Sequence, residues 1–428
     1  MNPRFLSLKK LLQVALMVVI CLTLSGVARA DQLDDNSITT TFIRVTTTTD
    51  ELTTNGNCSL REAIYAANNN ASVDACPAGS ATGTDVIRLK SGTYLLTIDG
   101  ADEQAAQTGD LDIQGNTWID GNGTTQTIVD AYNLGDRVFE VINPAPPDTI
   151  TVKFSYLTIR NGSVPTGLRG GAGILNNQYA TLEVNNVIFQ ENLTLRIGGG
   201  LDNIGTARLN NVTFIGNSAI GAGAGGAIYN AGNVTLSNAL FYDNSSSIYG
   251  GGLDNSYRAS LFNVTFSGNT SVEGGGVFND GEIDIINSTF ADNSSGFYHQ
   301  GTQRVKNTII ANSTDGDNCA GTTPVTSLGH NLDSGSTCHF IGFGDQENSD
   351  PMLGPLQDNL GPSLTHALLV GSPAIDTGDN IDCPSTDQRG GFRPANGGIG
   401  LTCDIGAFEL NALFPGQIFL PIAYRVAR

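Results

Sequence analysis

Gly198-Gly199-Gly200-Leu201-Asp202-Asn203 returns unchanged as Gly250-Gly251-Gly252-Leu253-Asp254-Asn255, and variants of it fill the chain between and around. GGAGILN occupies 170–176, GGAIYN 225–230 and GGGVFN 274–279. The closing asparagines Asn176, Asn203, Asn230, Asn255 and Asn279 therefore stand 27, 27, 25 and 24 residues apart. A second motif, Phe-x-x-Asn, keeps step with the first. Its phenylalanines Phe189, Phe214, Phe241, Phe266 and Phe290 are separated by 25, 27, 25 and 24 residues. Between the motifs, stretches such as Thr181-Leu182-Glu183-Val184 alternate with the period of two that marks a strand.

Two phase-locked motifs over five repeats describe a solenoid. Coils of about 25 residues hold short strands too narrow to bury anything alone, and stacking at about 4.8 Å pairs each strand with its neighbours. The expected fold is all-β, a right-handed parallel β-helix, the hand following from the preference of parallel crossovers. The phenylalanines form one interior column and Ile174, Leu201, Ile228, Leu253 and Val277 a second. Motif asparagines are expected at corners, in left-handed backbone, with their amides stacked. Less regular coils extend the array over 85–315, from Val86 through Leu111, Trp118 and Phe154 to a last turn near Val305.

The first thirty residues read as a secretory leader. Arg4, Lys9 and Lys10 precede an apolar core, and Ala28-Arg29-Ala30 supplies a cleavage site after Ala30. Ile20 before Cys21 argues against a lipid-modified cysteine. The formal charge of the chain is −20, more negative still without the leader's cations, which excludes nucleic acid and anionic membrane surfaces as partners. Six further cysteines form local couples 18, 19 and 20 residues apart. In an exported chain this suggests the disulfides Cys58–Cys76, Cys319–Cys338 and Cys383–Cys403, stapling the ends of the array.

Solenoids need caps. In residues 31–84, Ser59 and Glu62 form a capping box that starts a short helix whose apolar face, Leu60, Ala63 and Ile64, suits the first coil. Cys58-Ser59-Leu60-Arg61-Glu62-Ala63 resembles the bacterial surface proteins named for an N-terminal CSLREA sequence, and Gly109-Asp110-Leu111-Asp112-Ile113 continues the resemblance. The GGA-[ILV] and FxxN repeats resemble those of polymorphic outer-membrane proteins. Residues 316–410, with Gly371-Ser372-Pro373-Ala374-Ile375-Asp376 and Cys403-Asp404-Ile405-Gly406-Ala407-Phe408-Glu409, resemble a module that precedes variable cell-surface anchors. Together these imply an extracellular or cell-surface bacterial protein more firmly than any activity. The tail, 411–428, reads as a sorting signal or a closing strand. An array capped at both ends need not oligomerise, so a monomer is expected.

One column invites a catalytic reading. Leu175, Asp202, Tyr229, Asp254 and Phe278 are equivalent, which sets Asp202 and Asp254 two coils, about 9–10 Å, apart with Tyr229 between them. That approaches the carboxylate separation of inverting glycosidases, about 6.5–9.5 Å, with Tyr229 as a sugar platform. The alternative is that these side chains point into water, since no adjacent-coil acid pair and no supporting Arg or His is evident there. Glu191, Gly216, Asp243, Gly268 and Asp292 form a second column whose alternation avoids stacking like charges. A lyase acting on polyuronates needs a basic residue, and 198–300 holds only Arg208 and Arg258. His299, His330, His339 and His366 lack metal-ligand spacing. No cofactor is implied beyond Ca²⁺ at Asp376, Asp379 and Asp387, which lack the strict spacing of known calcium loops. The function expected from sequence is a non-catalytic adhesin that contacts a glycan or cell-surface component; the alternative is a polysaccharide hydrolase using Asp202 and Asp254.

Overall fold

The computed structural model describes residues 40–415, apart from 102 and 222; the expected leader with its cleavage after Ala30, and the tail from 416 onward, lie outside the described residues. From Thr41 to Asp333 the chain winds as a right-handed parallel β-helix. Strands of successive coils pair in parallel, Phe189 with Phe214, then Phe241, Phe266 and Phe290. The central coils each contribute one long strand, such as Ala180–Gln190, and two short ones, such as Leu193–Thr194 and Leu201–Asn203.

The phenylalanine column is a stack of near-parallel rings with centroids 4.5, 4.9, 4.5 and 4.7 Å apart, every ring fully buried. The glycine runs make room for it. A Cβ on Gly252 would sit 2.7 Å from the Phe266 ring, whereas Gly250, at φ +58, supplies the left-handed bend ahead of the strand.

Asparagine does two different jobs, and the expectation that one set does both is corrected. The asparagines closing the two motifs are not left-handed; they are buried ladders. Asn203 Nδ2 donates to Asn230 Oδ1, and Asn230 Nδ2 to Asn255 Oδ1, both at 2.7 Å. In the other ladder, Asn217, Asn244, Asn269 and Asn293 link at 2.9–3.0 Å, and each also donates to a phenylalanine carbonyl. A different set takes positive φ and bends the long strands: Asn186, Asn211, Asn238, Asn263, Asn287 and Asn307. Glu191, Gly216, Asp243, Gly268 and Asp292 are left-handed as well, so that column is a backbone corner.

The helix Leu60–Asn69 closes the first coils. Ser59 Oγ accepts from Glu62 N at 3.1 Å, Glu62 Oε2 accepts from Ser59 N at 2.9 Å, and Leu60, Ala63 and Ile64 join the apolar cluster of the coils. Cys58 is bonded to Cys76 and Cys319 to Cys338, both pairs buried in that cluster. Cys383 is bonded to Cys403, but this third bridge does not staple an end. The segment carrying it folds back along the side of the coils: Thr265 Oγ1 donates to Gln388 Oε1 at 2.6 Å, Asn263 Nδ2 to the Thr386 carbonyl at 2.8 Å, and Asn287 Nδ2 to the Asp404 carbonyl at 3.2 Å. Ile375, Ile405 and Phe408 pack there against Ile309 and Leu332. Among the described residues, no helix is long and apolar enough to cross a membrane.

Candidate functional site

The column that contains Asp202 and Asp254 is longer than the repeats reveal. In register it runs Asp112, Glu140, Leu175, Asp202, Tyr229, Asp254, Phe278, Tyr298 and Ala320. Because strands alternate faces, these side chains point away from the interior that Leu201 and Leu253 fill. The column is acidic at its start and aromatic towards its end.

Asp202 and Asp254 do share this face with Tyr229 between them, but they do not point into water. Asp202 is fully buried and Asp254 is 3% exposed. Both oxygens of Asp202 accept from Arg169, Oδ2 from Nε at 2.8 Å and Oδ1 from Nη2 at 3.2 Å. The expectation of no supporting arginine is thereby corrected: Arg169 comes from the turn of the coil below, ahead of the repeat. Burial pushes the Asp202 carboxyl up to about 6, Arg169 opposing the rise. Asp254 has no such partner, its Oδ1 accepts no hydrogen bond, and burial together with the charge of Asp280 pushes it up to about 8. As folded, neither carboxyl is exposed on the surface of the coils.

A carboxyl whose pKa is raised by folding stabilises the fold at low pH, and that stability is lost as pH rises through the folded value. For Asp254 the window runs from its ordinary value of 3.8 to about 8. Asp254→Asn should therefore flatten the decline in melting temperature across pH 5–9 and exceed the parent's stability at pH 9 by about 1–2 kcal/mol. Parallel melting curves for the two proteins would refute this reading.

The start of the column holds an adjacent-coil acid pair that sequence reasoning missed. Asp112 and Glu140 are register partners and, with Asp110, form a buried cluster. Arg137 Nη1 lies 3.2 Å from Asp110 Oδ2 and 2.7 Å from Glu140 Oε2. Burial and the neighbouring acids hold Asp110 well above the usual carboxylate range, and burial pushes Asp112 up to about 7.

The C-terminal aspartates have other work. Asp376 accepts from the backbone N–H groups of Gly397, Ile399 and Gly400, which keep its carboxyl below the ordinary value despite partial desolvation. Asp379 Oδ2 pairs with Lys306 at 3.0 Å, and Asp387 Oδ2 with Arg389 at 2.6 Å. The three anchor loops of the folded-back segment rather than converge on a cation.

The aromatic end opens to solvent. The Tyr249 ring lies 4.4 Å from that of Phe278, which lies 5.5 Å from Tyr298 at 12° between planes. Tyr298 lines an open groove of about 720 Å³ whose walls include Ser246, Thr270, Ser271, Ser294, Ser295 and Thr314, with Asp315 and Asp317 beside them.

No family model and no curated protein matches the chain. Among solved structures, the chain is similar to pectate lyase Pel9A, at 15% identity and a TM-score of 0.42 over 88% of this chain and 98% of that one. Nothing about activity is carried across at that level of likeness.

Proposed function

We propose that the protein is an exported surface protein of the CSLREA kind that holds a glycan on its β-helix without cleaving it. The groove around Tyr298 carries this reading. A tyrosine face supported from behind by Phe278 is a rigid, half-apolar platform of the sort on which a sugar ring stacks. The surrounding hydroxyls already donate to backbone carbonyls, Ser246 Oγ to Gly223 O and Tyr249 O, Ser294 Oγ to Ser271 O. Ser246 Oγ also accepts from Ile248 N at 3.3 Å and Ser294 Oγ from Ser271 N at 3.0 Å, so each keeps one lone pair as an acceptor for a sugar hydroxyl. Asp315 and Asp317 repel polyuronates and favour neutral or amino sugars. The three disulfides suit an oxidising compartment, as the leader does.

On an array of neutral, amino and acidic glycans, the protein should retain members of the first two classes and release no reducing ends. Tyr298→Ala should weaken retention roughly tenfold, the size of one lost stacking contact. Reducing-end release that vanishes in Asp254→Asn would replace this reading with the hydrolase.

A further inference from the structure

Gly109-Asp110-Leu111-Asp112-Ile113 was set apart by sequence and is not used by the glycan groove. We infer that its two aspartates, with Glu140 of the next coil, bind one Ca²⁺ ion that fixes the N-terminal end of the solenoid.

One oxygen from each of Asp110, Asp112 and Glu140 lies within 4.8 Å of the others. Calcium–oxygen bonds of about 2.3–2.6 Å place ligands facing each other across the ion up to about 5 Å apart, whereas magnesium, at about 2.0–2.1 Å, needs a tighter cage. Three carboxylates supply the charged part of a shell of about 6–8 oxygens. The second observation is independent of this clustering. Asp110 and Asp112 are 1% and 0% exposed, yet Oδ1 of each accepts no hydrogen bond. Buried carboxylate oxygens without a donor are costly, and a cation is the partner that satisfies several at once.

Charge points the same way. Arg137 takes one oxygen each of Asp110 and Glu140, Asn177 Nδ2 donates to the other Glu140 oxygen at 2.7 Å, and Arg61 reaches the Asp110 backbone carbonyl, so three buried carboxyls share one guanidinium in ion-pair contact. The elements that meet here are also held by Arg61 of the capping helix, which reaches the carbonyls of Ala106, Gly109 and Asp110, and by the pairing of Leu111–Ile113 with the next coil. Ala106, left-handed at φ 57, donates its N–H to Asp112 Oδ2 at 2.9 Å; Asn68 of the capping helix donates to the Asp112 carbonyl at 2.7 Å. An ion on Asp110, Asp112 and Glu140 joins the loop before the first short strand to the coil above it.

The test uses the purified protein stripped with a chelator and dialysed. Calorimetric titration with CaCl₂ should show one site per chain, and Ca²⁺ should raise the melting temperature by roughly 3 °C or more. Asp112→Asn should lose both responses while melting, without Ca²⁺, no lower than the stripped parent, because it removes a buried charge. A merely structural aspartate would instead lower the melting point and leave the calcium response in place. Should Asp112→Asn fail to fold, Glu140→Gln reads the same loss, expected as a tenfold or greater fall in affinity. No heat and no melting shift with the parent protein at millimolar Ca²⁺ would overturn the inference, as would an undiminished response in Glu140→Gln.

Discussion

Phe266→Ala should cost about 3–5 kcal/mol of unfolding free energy, near the top of the range for core truncations. Phe266 is fully buried, with the rings of Phe241 and Phe290 at 4.5 and 4.7 Å on either side. Its loss removes two stacking contacts as well as the ring's burial. The gap cannot close by collapse, because the spacing of the coils is set by backbone hydrogen bonds above and below. The architecture adds a consequence that a globular core would not show. Each coil of a solenoid packs chiefly on its neighbours, so a defect in the middle weakens coupling between the two halves, even with the folded-back segment bonded to Thr265 and Asn287 on either side. Phe266→Ala should therefore broaden the urea transition and lower its slope, and not only shift its midpoint. Phe290, followed in register by Ile310, terminates the stack, and Phe290→Ala should fall nearer the low end of the range. Equal losses and unchanged slopes in both variants would show that the column is not a cooperative spine.

The column was legible because it repeats. Phe189 to Phe290 and Asn176 to Asn279 recur with gaps that differ by at most three residues, so register could be counted from sequence. The same counting put Asp202, Tyr229 and Asp254 on one line, as they are. It could not show that they are covered. Asp202 is held by Arg169, which lies in a turn outside the repeated positions, so no periodic pattern places it. The acid cluster was hidden for a related reason. Asp112, Glu140 and Leu175 are register partners separated by excursions of unequal length, so no fixed period connects them. The folded-back segment joins Thr265 to Gln388 across 123 residues through polar contacts, and no repeat announces such a partner.

Arg61→Met should be the other severe lesion, about 3–5 kcal/mol, as expected when one member of a buried ion pair is removed. Arg61 lies on the capping helix and has no exposed surface. Its Nε and Nη2 hold both oxygens of Asp50, at 2.6 and 3.1 Å, and Asp50 is itself buried. The remaining N–H groups reach the carbonyls of Ala106, Gly109 and Asp110 at 2.8–3.2 Å. Methionine fills much of the volume but strands a carboxylate and three carbonyls, so the loss is electrostatic rather than a cavity. Lysine should rescue little, since a single ammonium cannot reproduce a planar fork with donors on two sides. Asp50→Asn in the Arg61→Met background should recover part of the loss, because the stranded charge is then gone, although Asp50 Oδ2 also accepts from the N–H groups of Thr97 and Ile98. Chemical denaturation of the three variants separates the possibilities. If Arg61→Lys matches the parent, the arginine is a space-filler, and the N-terminal cap is held by its apolar face alone.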